Sequence, residues 1–555
     1  MPLDSRNYSL PASFWLVALA AASFGIGLAL FSLARLRIRQ IVLWPVPSPQ
    51  CASLFTGNLL QMFHPVSGFD FREHVRKTYG PVSRFHGLLG DQVLLISDPK
   101  ALTSMLGKNQ DAFEETEWFI ECFRHVIGPG LFSSTGALHR KQRKLLNPIF
   151  STHRMRSMVP LIHKITVQLL DILQEKVADG VQEIEMSDWF GRLALEMIAQ
   201  GGLGHTFESF RTGAENDDFR TAIKEFSPAV ARLQVFLSVF PLVSKWPSKL
   251  LRFGAACLPW PDLHYIIKLA DTMGRSAKRL FETKRELLAN EDAGLKSRVD
   301  EGKDIISVLM RENADVVDDS RMQDDEIMAQ MITMLVAATD TTSLALSRIA
   351  YLLSQHQDAQ DRLREEVNNA VASGGTELGY DTLVGLPHLD AIYRESLRLH
   401  PPASFVAHVC NADTTIALSR PIPGALTQQS SLFVPRGTII IVDILGVNRD
   451  QSIWGGDADS WKPERWLAPL PDSVADAHIP GVYGNMMTFL GGSRSCIGFK
   501  LSELEIKVAL SQLVRSFRFL PSKEEVVWRL GPVTTPSVKG STTLTPKLPM
   551  LLKRA

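Results

Sequence analysis

A chain of 555 residues, 45% of them hydrophobic, can bury a large core, and its 59 basic side chains balance 59 acidic ones, so no global charge favours nucleic acid. Its five cysteines (Cys51, Cys122, Cys257, Cys410 and Cys496) are odd in number, scattered and without a C-x-x-C pair. That pattern excludes a disulfide framework and a zinc site, and fits a reducing compartment.

The N-terminus reads first as a short lumenal segment, residues 1–9. Leu10 to Ala34 then carries no charged side chain. As a helix it would extend roughly 37 Å, enough for a hydrocarbon core of about 30 Å. A cleaved signal peptide is the rival reading, with Ala18-Leu19-Ala20 as the processing site. Asp4 and Arg6 cancel in front of it, however, and the apolar run continues well past it, which favours an uncleaved anchor. Arg35, Arg37 and Arg39 follow at once, leaving the rest of the chain in the cytosol by the positive-inside rule. Pro45, Pro47 and Pro49 make residues 35–50 a stiff, extended spacer.

Beyond the spacer no fixed-period repeat occurs. Gln92–Ser97 reads as a strand. Ser227–Ile267 is apolar but broken by prolines, so it reads either as core helices or as a lid that touches a membrane surface. Asp324–Gln355 is the longest helical stretch. It is apolar nearly all round and belongs at the centre of a large protein; Asp340, among threonines in its middle, argues against a second span. Thr415–Leu418 and Thr438–Ile444, the latter after the turn Pro435-Arg436-Gly437, complete the strand signals. Helices dominate, with small sheets to one side: a mainly α fold.

The chemistry concentrates in FLGGSRSCIGFK, Phe489 to Lys500. Cys496 stands where an amphipathic helix begins, a position that favours a thiolate. Gly492 and Gly498 let the backbone approach something flat. Arg494 offers a cation to a carboxylate-bearing ligand, and Phe489 a ring near the sulfur.

Phe489, Gly492, Arg494, Cys496 and Gly498 fill F-x-x-G-x-R-x-C-x-G, which resembles the haem-ligand loop of the cytochromes P-450. Upstream segments resemble further family motifs in the family's order. Glu395-Ser396-Leu397-Arg398 resembles the E-x-x-R helix, and Lys462–Trp466 the segment whose arginine, here Arg465, joins Glu395 and Arg398 in a structural network near the haem. Ala337–Thr342 resembles the signature of the long central helix, with Ala338 in place of a glycine. His139-Arg140-Lys141-Gln142-Arg143 is similar to the helix that usually carries W-x-x-x-R, His139 taking the tryptophan's place as in many fungal relatives. His408 aligns with a basic propionate contact.

The resemblance covers nearly everything after the spacer. It implies a cytochrome P-450 fold preceded by a single transmembrane helix, with residues 51–555 as the haem-thiolate domain. Haem b would be held by Cys496 as axial iron ligand, with Arg494, His139, Arg143, His408, Phe489 and Gly498 around it. Asp340 and Thr341 would deliver protons during dioxygen cleavage. Only 57 residues follow Gly498, too few for a flavin domain, so NADPH would act through a separate reductase docked on Arg140, Lys141, Lys144 and Lys500. The implied substrate is a hydrophobic small molecule, a fungal secondary metabolite of terpenoid or polyketide type, and the implied location the endoplasmic reticulum membrane. A haem-thiolate isomerase or dehydratase needing no reductase, and a non-catalytic haem-binding membrane protein, are the alternatives. The Asp340-Thr341 pair speaks against both.

Overall fold

A computed structural model describes Ala34 and residues 37–555, except 212–217, 238–239, 293–303, 317–320, 376, 423–429 and 544. The anchor expected at 10–34 therefore lies outside the described residues apart from Ala34. No helix of the described residues is long and apolar enough to cross a membrane.

The central helix spans Asp324–Gln355, the stretch the sequence marks out. Glu326 closes a capping box with Gln323 at its start, accepting from the Gln323 N–H at 2.8 Å. The same carboxylate accepts from Gln142 Nε2 at 2.8 Å and from Lys141 Nζ at 3.4 Å, and so fixes the helix Gly136–Leu146 against the start of the central one. Met186–Leu203, Pro261–Asp292 and Asp218–Leu237 pack along the central helix, as do Phe499–Ser516 and Pro387–Leu399. Its residues are buried along nearly the whole length; the burial breaks at Val336, Ala337, Ala338, Asp340 and Thr341, in the middle.

The largest sheet has five strands, in the order Val82–His86, Gln92–Ile96, Ile439–Val442, Val406–Cys410 and Phe113–Glu115. Gln92–Ile96 pairs in parallel with Ile439–Val442, and the remaining neighbours are antiparallel. The parallel pair is nearly continuous hydrophobic sequence, as burial on both faces requires. A three-stranded sheet, Gln182–Glu185, Pro549–Arg554 and Phe517–Pro521, and two hairpins complete the β structure.

The described part of 227–267 divides between core and surface: Ala229, Leu233, Leu237 and Ile266 are buried in the main core, while the middle is open. After Asp218–Leu237 come the short helices Pro241–Ser244 and Ser248–Cys257, then the start of Pro261–Asp292. Leu242, Trp246 and Phe253 are exposed there, Leu242 to 78% and Phe253 to 68%, where core side chains would be near zero.

Candidate active site

Backbone geometry builds the Cys496 loop. Gly492 has φ +70°, and a Cβ on it would fall 2.1 Å from the Leu106 carbonyl oxygen; a Cβ on Gly491 would fall 2.0 Å from that of Pro480. Only glycine fits either place. The Cys496 N–H then donates to the Phe489 carbonyl at 2.9 Å, closing the turn. Phe489 itself packs against Tyr483 and Phe499, with centroids 5.6 and 6.0 Å away. Gly498 is the N-cap of Phe499–Ser516, and its N–H donates to the Cys496 sulfur.

Burial pushes the Cys496 thiol up, against the Gly498 amide and the Arg143 guanidinium, which pull it down. Burial by itself favours the thiol, so the thiolate expected from the sequence would rest on a metal cation to draw the proton off. Although burial governs its acidity, the Cys496 side chain is open by surface area. Both statements hold for a group facing an internal hollow.

Basic side chains surround that loop. Arg143 Nη1 donates to the Ser495 carbonyl at 2.7 Å. Arg494 donates through Nε to Glu114 at 2.7 Å and through Nη2 to the Ser134 carbonyl at 2.8 Å, so an acid already holds it. His139, buried on the same helix as Arg143, is lowered to about 3 by burial and then by Arg494, Arg143 and Arg140, and stays neutral. His139 and Arg143 stand four positions apart on one helix, and Arg143 also braces the cysteine loop. His408, on the strand Val406–Cys410, is buried with neither ring nitrogen hydrogen-bonded, and burial followed by Arg494 lowers it to about 4. A buried imidazole with an unused donor and acceptor fits a haem propionate, and the one soft sulfur of Cys496 suits its iron.

On the central helix, Thr341 Oγ1 donates to the Ala337 carbonyl at 2.7 Å, leaving its lone pairs free. Asp340 accepts a short hydrogen bond from the Ser227 hydroxyl on Asp218–Leu237. Burial raises Asp340 to about 6, with Ser227 opposing. Next to the pair, Thr342 Oγ1 donates to Glu505 at 3.2 Å, and burial raises Glu505 to about 8.

Glu395, Arg398 and Arg465 meet in one network. Arg398 forks onto Glu395 at 2.9 and 2.8 Å with both side chains fully buried, and Arg465 Nε lies 3.4 Å from Glu395. Lys462 N at 3.1 Å and Trp466 Nε1 at 2.9 Å also donate to Glu395. Arg398 donates at 2.7 Å to the Asn448 carbonyl, and Asn448 Oδ1 accepts from Met487 N at 2.8 Å, so the network reaches the segment leading into the Cys496 loop.

The segment 118–132 supplies an aromatic cluster: Phe119, Phe123 and Phe132 lie within 6.1 Å of one another, and Phe123 meets Phe226 at 5.9 Å. The Ser404 hydroxyl accepts from Arg72 Nη2 at 2.9 Å. Ser227, Glu114 and Glu505 were not singled out from the sequence. Their partners lie 113, 380 and 163 positions away, beyond any local pattern.

A family model described as cytochrome P450 matches residues 47–544. Cytochrome P450 monooxygenase 91 of Postia placenta is 40% identical over 532 residues, covering 95% of this chain and 97% of that protein. Cytochrome P450 monooxygenase 81 of the same fungus is 40% identical over 515 residues, covering 92% and 93%. A ganoderic acid synthetase of Ganoderma lucidum is 37% identical over 551 residues, covering 98% of each. The glycine-closed cysteine loop, the central helix and the buried Glu395–Arg398 pair thus stand in a chain that belongs to the cytochrome P450 family, a haem-dependent monooxygenase like its fungal relatives.

Proposed function

We propose that the protein inserts one oxygen atom of dioxygen into a C–H bond of a hydrophobic small molecule, using haem b held by Cys496 and electrons from NADPH through a separate reductase. The observation that carries this reading is Cys496 itself, the sulfur of a glycine-closed loop that is deep yet open to an internal hollow. Arg143, Arg494, His139 and His408 would hold the propionates, with Phe489 and Gly498 shaping the loop. When bound, the haem supplies dioxygen activation, helped by an electron-rich thiolate.

The chain's own residues hold and move protons. Asp340, raised to about 6, can both take a proton from solvent and release it near neutral pH. Thr341, its hydroxyl proton directed at Ala337, presents lone pairs to a donor in the pocket. Ala338 narrows the groove by one methyl where the family has glycine. The aromatic wall of Phe119, Phe123, Phe132 and Phe226 excludes water and suits an apolar substrate. A relative named for ganoderic acid synthesis supports a fungal secondary metabolite of terpenoid type.

A charge-free anchor at 10–34 and the exposed Leu242, Trp246 and Phe253 support a single-pass protein of the endoplasmic reticulum membrane with its catalytic body in the cytosol. Arg140 and Lys144 are exposed and would meet an acidic reductase; Lys141 is drawn to Glu326, and Lys500 donates to Thr152 at 3.3 Å. Cys496→Ala should abolish the reduced carbon-monoxide band of thiolate-bound haem, and with it NADPH- and reductase-dependent product. Survival of that band in the variant would show another ligand and end the reading.

A further inference from the structure

Two turns beyond Thr341 the central helix carries Arg348, which belongs to no motif. Its guanidinium carbon lies 3.3 Å from the centroid of the Trp528 indole, which Tyr351 meets edge-on at 6.1 Å. Among the described residues the Arg348 side chain makes no hydrogen bond and no ion pair. Its electrostatic neighbours are a like charge, Arg449, and the neutral Tyr351. The buried Trp528 Nε1–H also lacks an acceptor.

Nearby guanidinium groups are committed internally. Arg398 forks onto Glu395, Arg72 donates to Ser404 beside Asp443, and Arg449 donates to the Leu399 carbonyl. His400 gives no help, since burial and the same arginines hold it neutral. A guanidinium cannot shed its proton, and holding it half-buried without a counter-charge is unfavourable. Five donors above an indole platform therefore await an acceptor.

Arg348 also shares the mark of Cys496 and Asp340. Burial dominates its proton affinity, yet its side chain is partly open, as for a group facing an internal hollow. Seven residues bring a helix within about 20° of two full turns, so Arg348 lies on the Thr341 face, about 10 Å further along the axis.

We infer that Arg348, with Trp528 as its platform, is a carboxylate subsite at one end of the substrate chamber, and that the substrate is an apolar acid anchored there by its carboxylate. This rests on the oxidation proposed above and narrows its substrate class. One unpaired positive charge matches one carboxylate. The fork of N–H groups donates to both its oxygens, the indole N–H offers a further donor, and the apolar remainder lies toward the Thr341 end.

The test uses the full haem-loaded chain with dodecanoate and methyl dodecanoate as probes, titrated calorimetrically. The wild type should bind the acid at least about tenfold more tightly than the ester. Arg348→Met should erase that preference while leaving the ester's affinity within about twofold, and Arg348→Lys should keep part of it. Arg348→Met should also raise the Tm of the ligand-free protein, because the unpaired charge is gone; an arginine serving the fold would give a lower Tm. Equal affinities in the wild type, an acid preference that survives Arg348→Met, or a lowered Tm overturns the inference. So does equal stabilisation of the wild type by acetate and dodecanoate at matched ionic strength, which would mark a site for small free anions. Calorimetry needs no turnover. A protein that separates acid from ester but never oxygenates therefore refutes the proposed function and leaves this inference standing.

Discussion

Replacing Asp340 with asparagine should make the protein more stable at neutral pH while impairing its chemistry. The carboxyl is raised from its ordinary 3.8 to about 6, chiefly by burial, so the folded state holds a proton that the unfolded chain releases. Below pH 3.8 both states are protonated and the residue is neutral in the balance. Between 3.8 and 6 the unfolded chain ionises first and the folded state loses ground; above 6 the loss is complete and constant. Two units correspond to about 3 kcal/mol, an upper figure because Asp340 is partly open to water. Asparagine keeps an oxygen for the Ser227 hydroxyl but has no charge to bury. Thermal unfolding of both proteins across pH 4 to 8 should therefore show no gap at the acid end and a gain of a few degrees, reached by about pH 6.5, at the other. Ser227→Ala should act oppositely, since it removes the one group holding Asp340 down. A variant less stable than wild type at pH 7, or a gap independent of pH, would refute the burial argument.

Thr341→Ala should keep cofactor and substrate binding but divert electrons into hydrogen peroxide. The share of NADPH recovered as product should fall about tenfold or more; tight coupling in the variant would remove Thr341 from proton delivery. Arg398→Leu should cost about 3–5 kcal/mol, because it strands the fully buried Glu395 carboxylate, and should appear as poor cofactor retention and a lowered denaturant midpoint. Lys144→Glu should raise the apparent KM for an acidic reductase at low salt, with the effect fading above about 0.2 M as charges are screened. Unchanged kinetics at low salt would take that face out of the docking surface.

What the sequence makes legible follows how local the governing physics is. The central helix is bounded as its apolar pattern indicates. The strands Gln92–Ile96, Thr414–Ala417 and Ile439–Val442 fall within two residues of their expected limits, because alternation and turn residues act over a few positions. The cysteine loop is readable because steric demand leaves glycine no substitute at Gly492; Gly491, held as tightly, fills a position the motif leaves open. Acidity was less legible. At Cys496 the helix-start amide that favours a thiolate is opposed by burial, which depends on the whole fold and not on neighbouring sequence. Ser227 and Glu114 escaped for the same reason, since nothing near them in the chain reveals that Asp340 and Arg494 will be their partners.

Five donors from Arg398, Lys462, Arg465 and Trp466 converge on the two oxygens of Glu395. A carboxylate so saturated has no slack: drawing it back by one methylene, as Glu395→Asp would, cannot keep all five. Natural drift or a mutational screen should therefore find this position intolerant even of its nearest homologue. Dead variants there will report a failure of assembly and carry no information on turnover.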